Sequence, residues 1–190
     1  YIETEVLLEG FDPPLSTKFI GSTLRGSFGI HFKKLFCLFR NKQCFSCPVR
    51  EKCLYYKVFE TPAPTNNYFR ADFLPHPFLF SPHQIELKNA SSLKFSFFLF
   101  GDTTEYFPYF VLVFEQMRET GFTRNRAKPA EILIFDDSKR IYSSKQKDHI
   151  EKPVIRTLQL PAIRKVQRLR IDFVTPVRIK SGGKDPVFPV

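Results

Sequence analysis

Four cysteines lie within one short stretch of the chain, and their spacing allows a metal site. They are Cys37, Cys44, Cys47 and Cys53, in the pattern C-x6-C-x2-C-x5-C. Four converging thiolates bind a tetrahedral ion, and zinc is the most available candidate. An iron–sulfur cluster uses the same ligands, and free thiols or two disulfides are further alternatives. We expect the neighbouring cations Lys42, Arg50 and Lys52 to lower the pKa of these thiols.

His31, shortly before the cysteines, is the residue best suited to acid–base chemistry. The ordinary pKa of histidine, about 6.5, leaves a neutral proton acceptor at cellular pH. Lys33 and Lys34 would favour that neutral form by repelling an imidazolium. The structural alternative is a histidine at the edge of the core, hydrogen-bonded to a backbone carbonyl. His76 and His83 lie among prolines without partners at catalytic or metal-binding spacing, and we interpret both as incidental.

An amphipathic helix over residues 23–38 is predicted to carry His31 towards the cysteines. Its core-facing stripe consists of Leu24, Phe28, Phe32 and Leu35. Gly26 and Gly29 lie on the opposite side, and each costs about 1 kcal/mol against alanine inside a helix. That cost favours the close approach of another backbone or of a ligand, although a glycine-tolerant packing helix is the plainer alternative. Arg25 beside the helix start would suit a phosphate.

The rest of the chain follows an α+β pattern. Strands are predicted over residues 2–9, 78–80, 93–100, 154–160 and 166–174, with a further strand after the loop that begins at Gly121. A second helix is predicted over residues 105–120, with Pro108 in its first turn and Gly121 as its stop. Residues 139–152 are interpreted as a polar connection. This order of elements is that of a ferredoxin-like sandwich.

The net charge of +10 is concentrated in one part of the chain. Residues 139–184 contain thirteen Lys and Arg against three acidic residues, whereas the remainder balances. Such a distribution indicates a surface that faces a polyanion, and a solvated lysine face is the alternative. The cations that we predict to contact RNA are Arg25, Lys33, Lys34, Arg124, Arg126, Arg168, Arg170, Arg178 and Lys180.

The apolar segments are too short for a membrane span. No apolar run approaches the roughly 20 residues that a spanning helix needs, and the chain does not open on a signal-peptide pattern. We therefore expect a soluble, cytoplasmic protein without a membrane partner. Because the first residue is Tyr1, we also expect a fragment of a longer protein.

Several stretches together resemble a known family. They are GSTLRGSFGIHFKKLFC, the following C-x2-C-x5-C-x-Y and VFETP, LKFSFFLFG with the helix after it, and FVTPVRIKSGGK. These are similar to the CRISPR-associated endoribonucleases that process precursor crRNA. Those enzymes belong to the repeat-associated mysterious protein (RAMP) superfamily, and the resemblance is to the subgroup with a cysteine cluster after the first helix. The resemblance implies an RRM-like, ferredoxin-like domain followed by a second one.

The resemblance also implies an organisation and an activity. We predict an N-terminal ferredoxin-like domain over residues 1–164, with the cysteine cluster inserted at 37–53, and the start of a truncated second domain over residues 165–190. The implied activity is metal-independent cleavage of CRISPR repeat RNA, with His31 as general base and possible zinc in a structural role only. The alternatives are a non-catalytic RNA-binding subunit and a zinc-stabilised domain that assembles with other CRISPR-associated subunits.

Overall fold

The computed structural model describes residues 1–15, 20–63, 74–86, 91–122, 127–146 and 149–159, together with Arg168 and Arg170. The chain divides into two compact units, Tyr1–Leu158 and Gln159–Val190. All the helices and strands described below belong to the first unit. The predicted domain boundary after residue 164 stays a prediction.

The first unit follows the order β-α-β-β-α-β-β. Its elements are β1 Ile2–Glu9, α1 Ile20–Phe36, β2 Phe78–Glu86, β3 Ser92–Leu99, α2 Phe107–Thr120, β4 Glu131–Asp136 and β5 Lys139–Ser143. Pro108 lies in the first turn of α2, where its missing N–H group leaves no helical bond unmade. Gly121 ends α2 with a φ of +97°, which a glycine adopts without strain.

The strands form one antiparallel sheet in the order β2-β3-β1-β4-β5. β1 pairs with β3 from Ile2↔Leu99 to Glu9↔Ser92 and with β4 on its other side, so β1 is the central strand of the sheet. In the part β2-β3-β1-β4, each helix connects two strands that have a third strand between them. This is the split arrangement of a ferredoxin-like sandwich. The predicted α+β, ferredoxin-like fold is confirmed.

Strand β5, which forms a hairpin with β4, lies within residues 139–152. The prediction of a polar connection there is therefore wrong. Lys139 and Arg140 are exposed, and their charges obscure the strand pattern in the sequence. Ile141 and Tyr142 are buried, and the Tyr142 hydroxyl donates to a Glu115 carboxylate oxygen at 2.8 Å. The strand therefore forms because its second half covers the end of the core next to α2.

The prediction of a strand over residues 154–160 is also wrong for residues 154–159, the part that the structure describes, because these residues do not form a strand. Arg156 and Tyr1 pair through their backbones, with the Arg156 N–H donating to the Tyr1 carbonyl at 2.7 Å. The Asp136 carboxylate holds the same segment, since it accepts hydrogen bonds from the Val154 N–H at 2.6 Å and from the Arg156 guanidinium at 2.6 Å. The strand predicted over residues 166–174 lies outside the described residues, apart from Arg168 and Arg170.

Phenylalanine rings fill the space between the sheet and the two helices. Phe28 of α1 lies at the centre, fully buried, and has seven other phenylalanine rings within 5.2–6.3 Å. Leu24 and Phe32 are buried as predicted, but Leu35 is 39% exposed. Phe36 takes its place, packing on Phe32 and on Tyr109 of α2 at ring distances of 4.7 and 5.6 Å. Among the described residues, the helices are too short or too polar to span a membrane.

Candidate functional site

Helix α1 presents His31 towards the end of α2. The ring is only 5% exposed, and its Nδ1 lies 2.7 Å from the Ser27 carbonyl oxygen. Because a carbonyl can only accept, Nδ1 carries the proton. Nε2 lies 2.7 Å from the Thr120 hydroxyl, so a neutral ring accepts a hydrogen bond from Thr120. That hydroxyl lies equally close, 2.7 Å, to the Gln116 carbonyl, and the two acceptors compete for its one proton.

The pKa of His31 lies below its ordinary value of 6.5. Burial is the main cause, because an imidazolium would lose its hydration. The bond to the Ser27 carbonyl works in the opposite direction, and the charge of Lys34 adds to the lowering, as predicted for that lysine. His31 is therefore neutral at pH 7, and both of its nitrogens are hydrogen-bonded, Nδ1 to Ser27 within α1 and Nε2 to Thr120 of α2. This arrangement matches the structural alternative stated above, while the general-base role stays a prediction.

A second histidine lies on another side of α1. His76 is half-buried, its ring stacks on Phe78 with centroids 5.6 Å apart, and it lies 5.7 Å from the ring of Phe59. Its Nδ1 is 3.3 Å from the Thr61 hydroxyl, which is itself 3.3 Å from the Val58 carbonyl. With the hydroxyl donating to Val58, its oxygen accepts from the Nδ1–H group. The neutral ring then has its lone pair on Nε2.

Charged groups from two elements act on His76. Burial is the largest cause of a pKa below 6.5, followed by the positive charge of Arg25 on α1. The Glu60 carboxylate and the Val58 carbonyl raise the pKa and offset part of that effect. The fold therefore brings Arg25 and His76 together, although they are far apart in the sequence. His76 was interpreted as incidental because no spacing signal connects it to α1.

The backbone between these groups has unusual local geometry. Residues Tyr56–Glu60 form a single π-helical turn, which ends at Thr61 with a φ of +42°. A β-branched residue in this left-handed region costs about 1–3 kcal/mol. Both π-turns and such outliers occur preferentially at functional sites. Thr61 is therefore held in place by its surroundings, with its hydroxyl towards His76.

Gly26 and Gly29 of α1 lie in different surroundings. A Cβ on Gly29 would lie 3.1 Å from the Phe59 ring, so this glycine lets the π-helical turn pack against α1. The predicted close approach is thus made by a side chain. A Cβ on Gly26 would meet nothing within 4 Å among the described residues. As far as the described residues show, the surface beside Gly26, next to the exposed Arg25, is therefore open.

The cysteine segment, residues 37–53, contains two short 3₁₀ turns, Cys44–Ser46 and Arg50–Lys52. All four cysteines are unpaired and partly buried. The pKa of Tyr55 is raised by burial, by the Glu60 carboxylate and by the proximity of the Cys44, Cys37 and Cys53 thiols, so three of the thiols lie around one hydroxyl. Within the part of the chain that the structure describes, however, no three His, Cys, Asp or Glu side chains are arranged to hold a metal ion. Zinc and an iron–sulfur cluster stay predictions.

The expected lowering of the thiol pKa values is wrong for Cys44. Burial and a hydrogen bond to Glu60 raise the pKa of Cys44 to about 11, and Lys33 only partly opposes them. Two of the cations that were expected to lower the thiol pKa values make contacts with other groups. Lys42 lies over the Phe39 ring at 5.3 Å, and Arg50 pairs with Glu51 at 2.9 Å.

The predicted RNA-contacting cations are distributed unevenly. Arg25 and Lys34 are exposed on α1, whereas Lys33 is half-buried with its ammonium 5.4 Å from the centre of the Tyr55 ring. Arg168 and Arg170 are exposed in the second unit. The remaining predicted contacts lie outside the described residues: Arg124, Arg126, Arg178 and Lys180.

Comparison with protein families gives one match. The family model AF_1859_N, described as an N-terminal domain, matches residues 12–154, about three quarters of the chain. Those residues include α1, the cysteine segment, both histidines described above and all strands after β1. Searches of curated proteins and of solved structures found no significant match.

Proposed function

The chain belongs to the AF_1859_N family, and we propose that it binds precursor crRNA and cleaves it within the repeats without a metal ion. The observation that carries the proposal is the surface of α1. This helix exposes Arg25 and Lys34, contains His31 and lies beside His76, and the pKa values of both histidines are below 6.5. Cations for a phosphate and neutral imidazoles for proton transfer are what metal-free RNA cleavage requires. The sequence resemblance to precursor-crRNA endoribonucleases supports the choice of RNA.

The proposed reaction is an internal phosphoryl transfer. A base removes the proton of the ribose 2′-OH, and the 2′ oxygen forms a bond to the adjacent phosphorus. The bond from phosphorus to the 5′ oxygen breaks, and that oxygen takes up a proton. The products are a 2′,3′-cyclic phosphate and a 5′-hydroxyl. Cations stabilise the extra negative charge that develops on the phosphorane.

His31 enters this proposal as the base that the sequence predicts. The Ser27 carbonyl holds the ring in the tautomer with its lone pair on Nε2, which suits a base. Thr120 is the hydrogen-bond partner of that lone pair. For His31 to act, the Thr120 hydroxyl must turn to the Gln116 carbonyl or relay the proton itself.

The test of the proposal is cleavage of the cognate repeat RNA in EDTA. We expect one discrete cut whose 5′ fragment ends in a 2′,3′-cyclic phosphate. The gel mobility of that fragment should be unchanged by phosphatase alone, and should shift when acid has first opened the cyclic phosphate. Cleavage that requires a divalent ion would contradict the mechanism. Random degradation, equal on an unrelated RNA of the same length, would contradict the specificity.

A non-catalytic RNA-binding subunit is the second candidate, and one observation favours it. His31 is almost completely buried and both of its nitrogens are hydrogen-bonded. A protein of this kind would bind repeat RNA in the cytoplasm, together with other CRISPR-associated subunits, and leave it intact. Changing Arg168, Arg170, Arg178 and Lys180 to alanine is then expected to weaken binding and to flatten its salt dependence by roughly one unit of slope per lost phosphate contact. An unchanged slope would show that these side chains do not contact phosphates.

The cysteine segment is proposed to bind zinc in a structural role. Its donor set is suitable, since cysteine thiolates are the usual ligands of structural zinc. The thiols would have to draw together, and Cys44 would have to lose a proton, for a tetrahedral site to form. This role would be supported if the protein purified under reducing conditions contains stoichiometric zinc and the variant with all four cysteines changed to serine contains none. A metal-free protein of full stability would count against it.

A further inference from the structure

We propose that Arg25, Thr61 and His76 form a phosphodiester-binding site on the side of α1 away from α2, and that His76 is the residue there that takes the 2′-OH proton. The inference rests on the proposed RNA cleavage and names the site for it. It differs from the sequence prediction, which gave the proton transfer to His31.

The placement of His76 is the first argument. Its ring is wedged between neighbours, stacked on Phe78 and next to Phe59, so its plane has little freedom. The Thr61 hydroxyl lies against Nδ1 and has its own proton directed to the Val58 carbonyl. Together these contacts select the tautomer with the lone pair on Nε2. A half-exposed imidazole held in one tautomer and one orientation is prepared to accept a proton.

The second argument is charge. Arg25 is exposed on α1, and its guanidinium is close enough to act on the His76 ring. A guanidinium binds phosphate oxygens through two parallel hydrogen bonds. Glu60 is the acidic group that also acts on His76, and it stabilises the imidazolium formed when the ring takes the proton. A phosphodiester on Arg25 would therefore place its ribose next to a group that can become positively charged.

The third argument is the space. Gly26, directly after Arg25, has nothing within 4 Å of where its Cβ would be among the described residues. Gly29, one turn later, instead receives the Phe59 ring and thereby anchors the turn that leads to Thr61. The same helix face thus packs at Gly29 and stays open at Gly26. An RNA backbone could approach the open part without displacing a side chain of the core.

Binding is tested by NMR of histidine-labelled protein, titrated with a short repeat RNA that has a single 2′-deoxy nucleotide at the cleavage position. We expect the His76 ring signals to move on binding and its pKa to rise. Arg25→Gln should weaken the interaction roughly tenfold or more, because a charge-assisted hydrogen bond is lost. Lys57→Gln is the matched control, an exposed cation of the π-helical turn to which no RNA contact is assigned, and should weaken it much less. Unmoved His76 signals, or equal effects of the two variants, would overturn the site.

Proton transfer is tested by single-turnover cleavage in EDTA. His76→Gln keeps a partner for Thr61 but cannot carry the proton, so we expect cleavage about 10²–10⁴ times slower at near-normal RNA affinity. Wild-type rates in His76→Gln would overturn the role of His76 and leave the proposed RNA cleavage standing. Wild-type protein that moves the His76 signals but cuts no RNA would overturn both the cleavage and the proton transfer, and leave only the binding site.

Discussion

The two sides of α1 place a histidine in very different surroundings. Towards α2, His31 is buried and bonded at both nitrogens to groups of the fold, Ser27 and Thr120. Towards the β2 edge, His76 is half-exposed, bonded at Nδ1 to a strained threonine and close to an exposed arginine. Both have lowered pKa values, so the pKa alone does not separate them. The comparison teaches that the partners of the second nitrogen, together with exposure, distinguish a structural histidine from one able to react.

The largest expected effect is on cleavage. At a temperature where both variants are folded, His76→Ala is expected to slow single-turnover cleavage about 10²–10⁴-fold, whereas His31→Ala should slow it less than about tenfold. The reason is that the His76 ring has a hydrogen-bond partner only at Nδ1 among the described residues, whereas Nε2 of His31 would first have to give up its bond to Thr120 of α2. If instead His31→Ala is the slow variant, with normal stability and RNA affinity, the base is His31 and the comparison is reversed.

The next effect is on stability. His31→Ala removes a buried ring and its hydrogen bonds to the Ser27 carbonyl and the Thr120 hydroxyl, and should lower the free energy of unfolding by about 2–4 kcal/mol. His76→Ala, at a half-exposed position, should cost about 1 kcal/mol. Urea denaturation followed by circular dichroism measures both. Equal losses would mean that His31 does not connect α1 to α2 in the way the hydrogen bonds indicate.

The pH dependence of stability should follow the same contrast. In the unfolded chain each histidine takes up a proton near pH 6.5, whereas in the folded protein both pKa values are lower. Between these values the unfolded state binds more protons, so the stability present above pH 6.5 is lost as the pH falls. His31→Gln should flatten this loss more than His76→Gln, because His31 is the more deeply buried. A reversed order in denaturation curves at pH 7.5 and 5.5 would contradict the assignment.

The smallest expected effect concerns Thr61. Thr61→Val keeps the shape but removes the hydroxyl that contacts His76 and the Val58 carbonyl. We expect a loss of about 0.5–1.5 kcal/mol in unfolding free energy and a mixture of His76 tautomers in ¹⁵N NMR spectra. Thr61→Ser retains the hydroxyl and is the control. A single unchanged tautomer in Thr61→Val would show that the stacking on Phe78 alone orients the ring.

The ferredoxin-like fold followed from local patterns. β1 alternates buried and partly exposed residues along its whole length, and α1 and α2 have core-facing stripes of the expected period, so their type was readable from the sequence. β5 was missed because two charged residues open a strand of only five residues, Lys139–Ser143. Leu35 was misplaced because the helical period alone does not reveal that Phe36 reaches Tyr109 of α2.

The sequence by itself determined the order of elements from β1 to β4, the position of His31 on α1 and the gathering of the cysteines in one segment, since each depends on residues close together in the chain. Only the tertiary structure decided which histidine meets which partner. His31 meets Thr120 because α2 packs against α1, and His76 meets Thr61 and the charge of Arg25 because β2 and the π-helical turn lie along another side of the same helix. Hydrogen bonds and charges act through space over a few ångströms, and residues that close can be separated by any distance along the chain.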